Sequence, residues 1–239
     1  MSRVDILGVQ FDALTPDEAV LAAEALPRGS RVVTPNPEIV MAARSDPELM
    51  EIINSSGLVT ADGIGIIYAA KLLGRKLPGR VTGIGLVSAL FERMAKRGGS
   101  VYLFGAKPGV AEKAGEKIVS EYPGINVAGT HDGYFSDDAE IIEDINRARP
   151  DLLLVCLGAP KQEKWMAARS GVVDVGLMMG LGGVLDVYAG NVKRAPKLFQ
   201  KLGLEWLYRA VTQPSRFKRI LKLPGFLFAA LRERGREKK

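Results

Sequence analysis

Five stretches of this 239-residue chain share one grammar: an apolar run ends, small residues turn the chain, and a polar side chain stands where a helix begins. They are Thr34-Pro35-Asn36-Pro37, Thr60-Ala61-Asp62-Gly63, Gly105-Ala106-Lys107, Thr130-His131-Asp132-Gly133-Tyr134-Phe135 and Gly158-Ala159-Pro160-Lys161-Gln162. A sixth, Gly180-Leu181-Gly182-Gly183, is almost pure turn. Small glycine-bearing turns at helix starts leave backbone N–H groups free to cradle a phosphate or nucleotide. A carboxylate in such a turn can move a proton, and Asp62, between a buried-looking strand and two glycines, is the best placed for it. Each residue also has a plainer reading. Asn36 and Asp62 are good helix N-caps, Arg80 could be a surface cation, and Gln162 could cap a helix or lie exposed. His131, the only histidine, would have to carry any Ser/His/Asp triad alone.

Other chemistries lack their residues. No Asp-x-Asp triplet is present, and Asp137-Asp138 reads as a helix N-terminus complementing its dipole, so no metal site is expected. Neither a Gly-x-x-x-x-Gly-Lys-Ser/Thr loop nor a complete Gly-x-Gly-x-x-Gly occurs. Cys156, the single cysteine, rules out an intrachain disulfide and lies in an apolar run, where it reads as a small buried hydrophobe.

The elements that would carry these turns alternate along the chain. Strands are expected at Val4–Val9, Arg31–Thr34, Leu58–Thr60, Val101–Phe104, Asn126–Gly129, Asp151–Leu157 and Val172–Met178. Thr15-Pro16-Asp17-Glu18, Asn36-Pro37-Glu38 and Asp46-Pro47-Glu48 open helices with an N-cap, a proline and an acid. Further helices are expected near 63–73, 83–97, 108–121, 137–149 and 161–169. This alternation predicts an α/β fold, a Rossmann-like, largely parallel sheet flanked by helices, whose strand carboxyl ends hold the site.

Charge divides the chain. The net charge is +6, but residues 1–190 carry 19 basic against 24 acidic side chains and residues 191–239 carry 14 against three. We therefore expect an α/β catalytic domain over 1–195 and a helical, basic, aromatic C-terminal appendage over 196–239. Its helices are expected at 195–210, 213–223 and 224–234. Phe217, Ile220 and Leu221 interleave with Arg216, Lys218, Arg219 and Lys222, a basic amphipathic element followed by the apolar stretch 223–231. Such a segment suits an anionic membrane surface better than nucleic acid. The first residues form no long apolar stretch, and no run nears the roughly 20 residues of a membrane span, so a soluble protein of a reducing compartment is expected.

Taken in order, Thr34-Pro-Asn-Pro-Glu-Ile-Val, Ala61-Asp-Gly-Ile-Gly, Arg80-Val-Thr-Gly, Leu103-Phe-Gly-Ala-Lys-Pro-Gly-Val-Ala, Gly133-Tyr-Phe and Leu157-Gly-Ala-Pro-Lys-Gln-Glu-Lys-Trp resemble the WecG/TagA/CpsF family of glycosyltransferases. Gly182-Gly-Val-Leu-Asp, Arg194-Ala-Pro, Gly203-Leu-Glu-Trp-Leu-Tyr-Arg and Pro214-Ser-Arg-Phe-Lys-Arg continue the resemblance across nearly the whole chain. It implies an inverting transfer of N-acetylmannosamine from UDP-ManNAc to GlcNAc on a polyprenyl diphosphate, forming a ManNAc-β-1,4-GlcNAc unit. The branch it looks closest to serves wall teichoic acid linkage-unit synthesis. By resemblance Asp62 is the catalytic base, and Thr34, Asn36, Arg80, Gln162, Arg209, Arg216 and Arg219 bind substrate, the three tail arginines closing over the site. Gly105, Tyr134 and Gly158 are weaker candidates for nucleotide contacts. No cofactor or divalent metal is implied, and the enzyme would work peripherally at the cytoplasmic face of the membrane, with a homo-oligomer possible. The alternatives are UDP-ManNAcA or another sugar nucleotide as donor, a nucleotide-dependent Rossmann enzyme of another class, and a non-catalytic nucleic-acid or membrane-binding module.

Overall fold

Apolar residues alternate between two layers along the strands of the main sheet, the edge strand after Ile125 excepted, and this decides the architecture. A computed structural model describes residues 2–196, 199, 205, 207–208 and 222–237. Six strands, β3 (Ser30–Val33), β4 (Leu58–Val59), β5 (Ser100–Gly105), β6 (Asn126–His131), β7 (Leu152–Cys156) and β8 (Leu177–Gly180), form one sheet in the order β4-β3-β8-β7-β5-β6. Every pairing is parallel. Val33, Val59, Tyr102, Phe104, Leu153, Val155 and Met178 face one buried layer. Val32, Leu58, Val101, Leu103, Leu154, Leu177 and Met179 face the other. A parallel sheet covered on both faces needs such near-continuous apolar strands.

The first layer holds α2 (Pro37–Ala43), α3 (Pro47–Asn54), α4 (Ile64–Leu72), α7 (Ala139–Ala148) and α8 (Lys161–Ala168). The second holds α1 (Pro16–Glu24), α5 (Gly83–Lys96), α6 (Val110–Glu121) and α9 (Val184–Tyr188). The proline grammar worked as expected. Thr15 forms a capping box with Glu18, while Asn36 and Asp46 cap α2 and α3 through their side-chain oxygens. Cys156 is buried, and burial pushes its thiol up to about 12.

Three expectations need correction. The strand expected at Val4–Val9 is two strands, β1 (Arg3–Ile6) and β2 (Val9–Asp12), paired antiparallel in their own sheet. Leu7 and Gly8 both have positive φ, the backbone of a two-residue hairpin turn. The strand expected at Val172–Met178 begins only at Leu177. Asn146 holds the preceding segment off the ladder, donating from Nδ2 to the Val172 carbonyl and accepting at Oδ1 from the Asp174 amide. Asp137-Asp138 does stand at the N-terminus of α7, where Asp137 Oδ1 accepts from the Ala139 amide at 2.7 Å, although Asp138 itself caps no amide. Its carboxylate accepts from Trp165 Nε1 at 2.7 Å and from Arg169 Nε and Nη2 at 2.8 and 2.9 Å. The break expected before Pro224 is absent, because α10 (Lys222–Glu237) runs through it; a proline in the first turn interrupts no helical bond.

That last helix belongs to the packed body. Phe226 and Ala230 are fully buried in the first layer, with α10 lying on α2 and α4. Arg75 holds it from below, within 3.9 Å of Glu233 while paired at 2.8 Å with Asp5.

Candidate active site

The turns singled out above gather at the carboxyl ends of the parallel strands. β5 continues to β6 on one side and its neighbour β7 continues to β8 on the other, so their connections diverge. Ligand crevices in open α/β sheets form beyond such points.

Beyond β3 and β4 the backbone is stitched together strand by strand. The amide of Thr60 donates to the Val33 carbonyl, that of Asp62 to Pro35, and that of Val81 to Ala61, at 3.0, 3.2 and 3.1 Å. Thr34, Asp62 and Arg80 therefore stand on three adjoining segments. Asp62 is half-buried, and its Oδ2 accepts from the Gly83 amide at 3.2 Å, at the first residue of α5. Gly83 also lies against Thr34, because a Cβ there would sit 3.1 Å from Thr34 Oγ1 and 2.6 Å from Leu181 Cδ2. A carboxylate and a hydroxyl thus converge on one glycine that allows nothing larger between them.

Asn36 fulfils its plainer reading. Its Oδ1 accepts from the amides of Glu38 and Ile39 at 2.9 and 3.1 Å, which leaves its Nδ2 hydrogens for any ligand. Gln162 fulfils neither plainer reading, since it is 3% exposed and ties two loops together. Its Oε1 accepts from the Gly182 amide and its Nε2 donates to Glu163 Oε1, both at 2.8 Å. Gly180 makes the room, because a Cβ there would lie 3.1 Å from Gln162 Nε2. Glu163, fully buried beside it, drew no attention in the sequence; its position in the first turn of a helix resembles that of any dipole-complementing acid.

Gly105 ends β5, while Gly158 and Tyr134 occupy the neighbouring loops after β7 and β6. Gly105 has φ +125° and its missing Cβ would stand 2.4 Å from the Cys156 carbonyl oxygen, so glycine is obligatory there. The next amide, Ala106, donates to that carbonyl at 3.2 Å, and Gly133 donates to Ala106 at 2.8 Å, drawing the three loops together. Gly158 also has positive φ and its carbonyl accepts from the Gln162 amide at 3.0 Å. Tyr134 is 67% exposed. Around this rim α4, α6, α8 and α9 all start without a side-chain cap. Among the described residues no group of three or more His, Cys, Asp and Glu is arranged to hold a metal ion, and no helix is long and apolar enough to cross a membrane.

Arg209, Arg216 and Arg219 lie outside the described residues, as does Trp206. Phe199 packs against Tyr208 with ring centroids 5.9 Å apart. α10 starts beside the site: Leu223 Cδ1 and Pro37 Cγ each lie 2.7 Å from where a Gly65 Cβ would be.

A doubly covered parallel sheet with polar residues and open helix N-termini along its carboxyl rim defines a Rossmann-like α/β enzyme. The chain matches the glycosyl transferase WecG/TagA/CpsF family over residues 4–239 and belongs to it; it is a glycosyltransferase. Similar curated proteins include one from Bacillus subtilis (strain 168), 38% identical over 88% of this chain and 82% of its own. Another, from Staphylococcus aureus (strain NCTC 8325), is 35% identical over 100% of this chain and 96% of its own. Both are named N-acetylglucosaminyldiphosphoundecaprenol N-acetyl-β-D-mannosaminyltransferase.

Proposed function

We propose that this enzyme transfers N-acetylmannosamine from UDP-ManNAc to GlcNAc carried on a polyprenyl diphosphate, forming the β-1,4-linked disaccharide of a wall teichoic acid linkage unit. The names of its relatives support the acceptor and the sugar. The observation that carries the mechanism is the Asp62 carboxylate held by the Gly83 amide beside Thr34.

In this reading the acceptor hydroxyl attacks the anomeric carbon as Asp62 takes its proton. The carbon–oxygen bond to the diphosphate breaks on the opposite face, and the electron pair leaves with UDP. General-base assistance of this kind contributes roughly 10²- to 10⁴-fold. Negative charge growing on UDP is met by Arg80 and by uncapped helix N-termini along the rim. Thr34, the Asn36 amide and Gln162 orient sugar hydroxyl and acetamido groups, while Gly105 and Gly158 let backbone approach the nucleotide and Tyr134 stacks on its base. We assign the charge stabilisation to protein groups without a divalent metal. Arg209, Arg216 and Arg219 meet the acceptor diphosphate from the tail.

The acceptor's lipid keeps it in the bilayer, so the enzyme must come to the membrane surface. On α10 Phe228 and Leu231 point outward at 67% and 48% exposure, among Arg232, Arg234 and Arg236. Each basic residue near anionic lipid contributes about 1 kcal/mol. We place the enzyme peripherally at the cytoplasmic face of the membrane.

The test is a transfer assay with UDP-ManNAc and a lipid-diphosphate-GlcNAc analogue, with and without EDTA. Wild-type transfer should survive EDTA. Asp62→Ala should lose at least about 10²-fold in kcat while UDP and liposome binding persist. Stabilisation by NAD and not UDP, or transfer by Asp62→Ala at the wild-type rate, would overturn the assignment; the second result would turn attention to His131 and Asp132.

A further inference from the structure

Beside Gln162 stands a carboxyl group that the mechanism above leaves unused. Glu163 is 1% exposed. Its Oε1 accepts from Gln162 Nε2 at 2.8 Å, while Oε2 is sealed from solvent and makes no hydrogen bond. Burial of such a group without a cationic partner is costly, and burial pushes this carboxyl above the usual carboxylate range. An apolar side chain of similar volume would fill the space more cheaply, so the fold gains little from an acid here.

What the acid does is visible in its neighbour. A primary amide fits its slot in two orientations related by a half-turn. At one end of the Gln162 amide stands the Gly182 N–H, which can only donate, and at the other stands Glu163 Oε1, which accepts. Turning the amide over would set N–H against N–H at Gly182 and leave Glu163 without its donor. Gly180 leaves just enough room for the amide, since a Cβ there would meet Met166 Cε at 2.8 Å and Gln162 Nε2 at 3.1 Å.

We propose that Glu163 is a positioning residue of the transfer reaction, whose buried acceptor oxygen locks the Gln162 amide and, through it, the Gly180–Gly183 turn between β8 and α9. This rests on the reading of Gln162 as a substrate-binding residue. Gln162 then reaches the substrate with one amide orientation, and Glu163 never touches it.

The experiment is a double-mutant cycle on the full chain, with steady-state transfer and thermal melting as readouts. Glu163→Met removes the acceptor and fills the space. It should melt at or above the wild-type temperature, yet lose about tenfold in kcat/KM for the sugar nucleotide, the usual scale of coupling between hydrogen-bonded neighbours. Adding it to Gln162→Ala should cost nothing further. Glu163→Gln, which keeps an acceptor oxygen in the same place, should return kcat/KM to within about threefold of wild type. Wild-type kcat/KM in Glu163→Met, or losses that multiply in the double variant, would overturn the inference while leaving Gln162 in its role. A folded Glu163→Gln that is as impaired as Glu163→Met would do the same. A silent Gln162→Ala would remove both the role of Gln162 and the inference built on it.

Discussion

Gly83→Ala should separate stability from catalysis in this enzyme. The residue opens α5, donates its amide to Asp62 and touches Thr34. Its backbone is ordinary helix, so alanine meets no conformational penalty and gains up to about 1 kcal/mol of helix propensity. Against this, the new Cβ would lie 2.6 Å from Leu181 Cδ2 and 3.1 Å from Thr34 Oγ1. Carbon atoms rest at about 3.5–4.0 Å, so Leu181 must retreat by roughly 1 Å and Thr34 by less. Overpacking of that order costs about 1–3 kcal/mol, which leaves a net loss of no more than about 3 kcal/mol. In a domain of this size that lowers Tm by less than about 12 °C. The catalytic effect comes from Thr34, which must give by a few tenths of an ångström; as a misplacement of about 1 Å costs on the order of 10²-fold, a loss of roughly 3- to 10-fold in kcat is expected. The assay is kcat for sugar transfer beside a thermal melt. Leu181→Val in the same chain should restore Tm but only part of kcat, since Thr34 is still crowded. A Gly83→Ala enzyme with wild-type kcat would refute the idea that this glycine holds Asp62 and Thr34 together.

Two further outcomes test the frame around the site. The Arg169 guanidinium and the Trp165 N–H hold the Asp138 carboxyl below the usual range. A depressed folded-state pKa gives stability that is full above the ordinary value of about 4 and is lost as pH falls through the lowered one. Asp138→Asn should therefore destabilise by about 1.5–3 kcal/mol at neutral pH, with a shallower acid slope in melting temperature against pH. Phe226→Ala empties a fully buried position under α10 and should cost about 3–5 kcal/mol if the helix unfolds with the body. If α10 instead opens alone, limited proteolysis will cut within 222–237 while the body keeps its melting temperature.

The sequence announces its layers and rim more clearly than its site geometry. Alternation and the Pro-after-cap grammar reveal the strands and helices because burial and capping are local, and each leaves its mark within a few residues. The β1–β2 hairpin escaped because Leu7-Gly8 sits inside an apolar run, and only backbone dihedrals separate a turn from a pleat there. The start of β8 escaped because Val173 and Val175 are buried by a loop that Asn146 holds, and apolar character alone does not distinguish a packed loop from a strand. The position of Asp62 at the strand ends was legible from its neighbours in the chain. Glu163 was not, because its meaning depends on Gly182, 19 residues further on, reaching it through Gln162.

The position of Asp62 explains why one substitution can be felt on both sides of the sheet. It stands on the connection from β4 to α4, whose helix packs in the layer with α2, α8 and α10. Its hydrogen bond, however, goes to α5, which packs in the opposite layer. Groups from the two layers can meet only beyond the strand ends, and at the carboxyl ends Asp62 does so, since along the strands the sheet lies between them. The carboxylate is thus tied to both layers, and its placement is set by how they pack, as preorganised catalysis requires. α10 joins the layer of α2 and α4 alone, with Leu223 against Gly65 and Pro37. A shift of that helix would therefore move the Asn36 and Asp62 side of the site relative to Gly83 and Thr34. A side chain at Gly65 presses on Leu223 and on Pro37 alike, so Gly65→Val should lower kcat in the same transfer assay, and a Gly65→Val enzyme with wild-type kcat would refute this coupling.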